Sequence, residues 1–158
     1  MTNNRNPQLF SLEDIQEIIT GKVTKRSRPS HPESRLQCSC VQWFRLQHAD
    51  KRLLLFAVPN GGFRIASEAA RLYAEGVVPG VSDLIYLEPR GNYGALCIEM
   101  KTTLTGSRQS DCQKEWQKAV EAVGIRYVIC RTLEEFIKEV DDYLALEPMV
   151  PAVGEVEF

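Results

Sequence analysis

The sequence has no apolar run near the roughly 18 residues that a membrane helix needs, so no membrane-spanning role is expected. Its first ten residues, MTNNRNPQLF, are polar and lack the apolar centre of a secretion signal. Histidine is scarce: His31 and His48 are the only two, and neither has a partner at ligand spacing. Cys38 and Cys40 with His48 do not form the four-ligand pattern of structural zinc. The five cysteines (Cys38, Cys40, Cys97, Cys112 and Cys130) are an odd set. Without a secretion signal they are expected as reduced thiols in a cytoplasmic protein, of a phage or of its bacterial host. Internal repeats and low-complexity tracts are also missing.

What is present fits one α/β domain with tails. The chain has 158 residues, 44% hydrophobic and 25% charged. The divisions expected are a short helix and basic linker over 1–30, a folded domain over 31–146, and an acidic tail over 147–158. The net charge of −2 conceals a polarity. Residues 21–52 hold eight Lys or Arg against Glu33 and Asp50, a net of +6, and residues 133–158 hold eight acids against Lys138, a net of −7. A basic front end suits a polyanion such as nucleic acid. Charge alone fits a solvated face equally well.

Ser11 can cap a helix over LEDIQEII, and Gly21 can stop it. A second helix is expected from Pro32 to about Ala49, with Leu36, Cys40, Val41 and Phe44 at helical spacing. Residues 53–58, LLLFAV, read as a buried strand. Residues 63–76 read as a helix with Ile65, Ala69, Leu72 and Tyr73 on one side and Gly76 as its stop. Two strands, 83–87 and 95–101, flank a turn at PRGNYG. A helix from Ser110 or Asp111 to about Val123 leads to a strand at 126–130, which should lie parallel to its predecessor. A last amphipathic helix follows Thr132. The result is a mixed sheet flanked by helices.

The informative stretch is GVVPGVSDLIYLEPRGNYGALCIEMKT, residues 76–102. Strand side chains alternate with period two, so Glu99 and Lys101 share one face and Ile98 and Met100 the other. Asp83 opens the neighbouring strand. Two acids and a lysine converging on an apolar sheet cost desolvation, which a bound divalent cation would offset. That reading is a metal-dependent phosphodiesterase site. Each residue also has an ordinary reading: Asp83 as a turn acid, Glu99 and Lys101 as an edge ion pair, Glu33 as a dipole-favoured acid in a first helical turn, Gln113 as an exposed helix residue. Trp116, one turn later, reads as core.

An acid at 83, then an acid sixteen positions later in acid-x-Lys, resembles the PD-(D/E)xK restriction-endonuclease-like superfamily. The runs PNGG, GVVPGVSDLIYL, CIEMKT and QKEW narrow the resemblance to the VRR-NUC family, the virus-type replication-repair nucleases, over roughly residues 33–140. Ser82 departs from the pattern, standing where a proline usually precedes the aspartate. The resemblance implies an αβββαβ core with a mixed sheet, and hydrolysis of DNA phosphodiesters, on branched, flap or junction DNA. By position, Asp83 and Glu99 would be metal ligands, the backbone carbonyl of Met100 a third oxygen, and Mg²⁺ or Mn²⁺ the cofactor. Lys101 would act on the attacking water, and Gln113 would lie beside it. Glu33 would hold metal through water or take a second ion.

Asn60, Gly61 and Gly62 form a tight turn that could also admit a phosphate to the backbone. Arg64, Arg71 and Arg108 are candidate phosphate contacts. A two-fold homodimer would match a junction, with Leu53, Leu54 and Leu55, or the apolar side of the last helix, as candidate surfaces. The alternatives are a non-catalytic nucleic-acid-binding module on a nuclease fold, and an assembly protein acting through its acidic last helix.

Overall fold

The structure is a computed structural model, and it describes residues 32–59, 66–104 and 106–149. The described residues all lie in one compact unit, His31–Phe158. The helix expected after Ser11, and His31, lie outside the described residues.

Helix α1, Pro32–Gln47, opens with Glu33 in its first turn and buries Cys40 and Phe44. These two lie four residues apart, so one stripe of the helix faces inward. A 3₁₀ turn at Ala49–Lys51 leads into β1, Leu55–Ala57. Helix α2 spans Ala66–Ala74, and strands β2 and β3 span Leu84–Tyr86 and Leu96–Met100. Helix α3, Asp111–Ala122, is followed by β4, Arg126–Cys130, and α4, Leu133–Leu144.

The strands form one sheet in the order β1-β2-β3-β4. β1 and β2 are antiparallel, as are β2 and β3, where Leu84 pairs with Ile98 and Tyr86 with Leu96. β3 and β4 are parallel, with Cys97 opposite Tyr127 and Glu99 opposite Ile129. The crossover through α3 therefore gives the parallel pair that the order of elements requires. This is the mixed α/β sheet flanked by helices that the sequence implies.

Alternation along β3 sorts the two faces. Leu96, Ile98 and Met100 join Phe44, Leu84, Phe136, Val140 and Tyr143 in the core under α1 and α4. Cys97 and Glu99 take the opposite face, and Lys101 continues the alternation one residue past the strand. Trp43 packs edge-on against Phe136 at 6.0 Å, joining α1 to α4. Burying a side chain such as Phe44 or Phe136 contributes roughly 1.5–3 kcal/mol. Away from Asp83, the buried Arg90 ties β2 to the end of α4: its guanidinium donates to Glu88 at 2.6 Å and to the Leu146 carbonyl at 3.1 Å.

Several expectations need correction. The strand at 53–58 is three residues long and lies at the sheet edge, so Leu55 is buried while Phe56 and Ala57 are exposed. Leu53 is exposed and Leu54 packs against the core, so the three leucines are not one docking surface. The apolar side of α4 is the core itself, with Phe136, Val140 and Tyr143 all buried, and it is closed to a partner. Tyr73 faces outward at 72% exposure, because α2 turns Leu72 toward the apolar cavity beside Val58 and Val77. All five cysteines are free thiols.

Candidate active site

Asp83 immediately precedes β2, and three contacts fix it. Its carbonyl accepts from the Val58 N–H at 2.9 Å, tying it to the end of β1. Its Oδ2 accepts from the Met100 N–H at 2.8 Å, reaching across to β3. The loop before it sits on α3: Gly80 has φ +84°, and a Cβ there would stand 2.4 Å from the carbonyl carbon of Cys112. Glycine is needed for the left-handed backbone and for the close approach. Ser82, in the place of the usual proline, is fully buried, and its hydroxyl donates to the Leu84 carbonyl at 3.1 Å. A side-chain bond thus holds a turn that proline would hold by its ring.

The β2–β3 register, continued by one pair, sets Asp83 opposite Glu99. The two carboxyl groups lie close enough for the charge on Asp83 to act on Glu99. Glu99 is 1% exposed, and the Lys101 ammonium lies 2.9 Å from its Oε1. The Gln113 amide also donates to that oxygen, and the Tyr127 hydroxyl approaches Oε2 at 3.4 Å. Gln113 is held for this contact by its helix. It is the third residue of a capping box, in which its Oε1 accepts from the Ser110 N–H at 2.8 Å while the Ser110 hydroxyl accepts from the Gln113 N–H at 3.2 Å.

Burial dominates the electrostatics. It pushes the Glu99 carboxyl up to about 7, against the pull of Lys101 and with a further push from Asp83. Asp83 is raised too, first by burial, while the Met100 N–H and Lys101 draw it down and Glu33 pushes it up. The Tyr127 phenol is raised by burial and by the nearby Glu99 charge, so it stays a donor. Two facing carboxyls that resist ionisation in a site with one ammonium are short of positive charge.

Oxygen donors of this kind fit a hard divalent cation that keeps water in its shell. Among the described residues no three His, Cys, Asp or Glu side chains converge as a ligand cluster. A cation here would therefore rest on the two carboxylates of Asp83 and Glu99, completed by backbone or water oxygens. Glu33 is near enough to act on Asp83, but its carboxylate accepts from the Ser107 hydroxyl at 2.9 Å.

Asp83, Glu99, Lys101 and Gln113 thus come together from β2, β3 and α3, with Glu33 close by on α1. Arg108 is exposed and makes no ion pair among the described residues. Arg71 pairs with Glu75 at 2.6 Å on α2. Asn60, Gly61, Gly62 and Arg64 lie outside the described residues. His48 packs against Trp43 and Phe44 and holds no metal site, and Trp116 packs on Tyr127. Sequence reasoning missed Tyr127, Gln109, Ser107 and Arg131. Arg131 donates to the carbonyls of Thr102 and Ser107 at 2.7 and 3.1 Å, and the Ser107 hydroxyl accepts from the Thr102 N–H at 3.1 Å. Period two on β4 was the available signal for Tyr127, and it points only after the strand order is known.

Residues 14–133 match the VRR-NUC domain, starting earlier than the motifs alone indicate. A comparison with curated proteins returned no match. A solved structure described as a VRR_NUC domain protein is 24% identical, with a TM-score of 0.65 over 77% of this chain and 94% of its own, which supports the shared fold. The family match spans most of the chain, from ahead of α1 to the start of α4, and includes every residue brought together above: the chain belongs to the VRR-NUC family.

Proposed function

We propose that the chain is a Mg²⁺- or Mn²⁺-dependent DNA endonuclease that hydrolyses phosphodiester bonds in branched, flap or junction DNA. The observation that carries this reading is that Asp83 and Glu99 face each other from paired strands, with the Lys101 ammonium 2.9 Å from Glu99 Oε1. The family's nuclease-type fold supports the reaction class. Asp83 and Glu99 would hold the cation, with the Met100 carbonyl as a candidate third oxygen. When bound, such an ion polarises a phosphate oxygen and lowers the pKa of water.

The chain's own side chains divide the remaining work. Lys101 would orient the attacking water and offset negative charge growing on the phosphate oxygens. Gln113 and Lys101 together fix Glu99 Oε1, so that the carboxylate presents one orientation. Water adds to phosphorus, the bond to one sugar oxygen breaks, and that oxygen leaves with a proton. The test is incubation with branched and with linear DNA, in Mg²⁺, Mn²⁺ or chelator. Lys101→Ala is expected to lower the cleavage rate about 100- to 10,000-fold, and Asp83→Ala to abolish the response to metal. Full activity in either variant removes this mechanism. Salt-dependent DNA binding without nicking in any metal would favour a non-catalytic module.

A further inference from the structure

We propose that Tyr127 is a positioning residue for the Glu99 carboxylate, with its hydroxyl aimed by Gln109 and Gln117. The inference rests on the nuclease reading above. Glu99 Oε1 is taken by Gln113 and Lys101, which leaves Oε2, and Oε2 faces the Tyr127 hydroxyl at 3.4 Å. A tyrosine has one proton to give. Its direction is decided by what the phenol oxygen accepts.

Gln109 Nε2 lies 3.3 Å from the Tyr127 oxygen and 2.9 Å from Gln117 Oε1. An amide nitrogen carries two hydrogens, so both contacts are donations. Gln117 then accepts through Oε1, and its Nε2 donates to Glu121 Oε1 at 2.9 Å. The Glu121 carboxylate can only accept when ionised, and this sets the polarity of the chain from its outer end. Donation runs both ways from Gln109: outward through Gln117 to Glu121, and inward to Tyr127. The Tyr127 hydroxyl accepts from Gln109, and its proton goes to Glu99.

The sheet places the ring. Tyr127 stands opposite Cys97, one same-face step from the Glu99–Ile129 pair, so a long side chain reaches Glu99 along the diagonal. Trp116 packs on the ring at 5.9 Å with planes 62° apart, and Tyr127 is 8% exposed. The 3.4 Å contact is long for an O–H···O bond. Such bonds at reaction sites often tighten only when the site is loaded. Partners of this kind typically change metal affinity about 10- to 100-fold.

The test is Mn²⁺ titration of the full chain by calorimetry, without DNA, with melting in chelator as a control. Tyr127→Phe keeps the ring and removes the hydroxyl. It is expected to bind Mn²⁺ about 10-fold more weakly. Gln109→Leu, in a half-buried loop away from the core, is expected to weaken binding in the same direction at unchanged melting temperature in chelator. Should Tyr127→Phe fold poorly, Gln109→Leu decides alone. Wild-type affinity in the variants, or a loss matched by an equal fall in metal-free stability, overturns the proposal. A wild-type chain that binds Mn²⁺ and cleaves while the variants are unaffected sinks this inference alone. A wild-type chain that does neither sinks the nuclease reading with it.

Discussion

Gly80 lies against the backbone of Cys112, with no room between them for a methyl group. The loop that delivers Asp83 therefore rests directly on the turn that delivers Gln113. Gly80→Ala must separate the two while forcing a left-handed backbone on alanine. The expected cost is about 2–4 kcal/mol, from overpacking and the conformational penalty together. Gly76 is the natural control: its φ is +95°, yet nothing lies within 4 Å of the position a Cβ would take. Gly76→Ala should cost only the conformational part, about 1–2 kcal/mol. Denaturant unfolding and cleavage rates of both variants check this. Equal costs at the two positions, with full activity in Gly80→Ala, would contradict the packing argument.

The raised carboxyls predict how stability depends on pH. Glu99 titrates near 4.5 when unfolded and near 7 when folded. Between those values the folded chain holds the extra proton, so stability falls as pH rises through the window. Asp83, also raised, acts in the same direction. Glu99→Gln fixes the neutral form. In chelator it should melt above wild type at pH 8, and the difference should disappear near pH 5. A cation adds the missing positive charge, so wild type should gain more melting temperature from Mg²⁺ at pH 8 than at pH 6. A wild-type chain in chelator that loses nothing relative to Glu99→Gln between pH 5 and 8 would show that Glu99 ionises freely.

Ser107 links Glu33 on α1 to the chain just beyond Lys101, through its hydroxyl bonds to Glu33 Oε1 and from the Thr102 N–H. Ser107→Ala removes both, at an expected cost of about 1–2 kcal/mol. Arg131 still holds the Thr102 carbonyl, so the loop should stay folded. Cleavage should drop several-fold, because Glu33 is freed from its place near Asp83. Denaturant unfolding and single-turnover cleavage measure the two effects separately. Unchanged values in both would leave Ser107 an incidental surface residue.

Much of this was readable beforehand because it is local. Period two put Glu99 and Lys101 on one face, and Ser110 and Thr132 announced the helices they cap. The order of helices and strands was enough for the parallel β3–β4 pair. What stayed hidden depends on distance along the chain. Tyr127 reaches Glu99 across 28 residues and Ser107 reaches Glu33 across 74. No period carries such contacts, which exist only once strand order and the crossover bring the elements together. The edge position of β1 was hidden for the same reason: LLLFAV looks buried on both sides until the sheet is seen to end there. Gln113 was placed beside the lysine by family likeness, whereas its second bond, to Ser110, follows from local helix chemistry.

That double attachment limits how the chain can change. Gln113 has one amide: its oxygen closes the first turn of α3 and its nitrogen reaches the acid. The polar segment between Lys101 and Ser110 could lengthen without harm to sheet or helix, provided Ser107 and Gln109 keep their contacts and α3 still begins on the same residue. Starting it one residue early or late would rotate the amide by about 100° around the helix axis and swing it clear of Glu99. Insertions in this segment are therefore tolerable only where they leave the phase of α3 untouched.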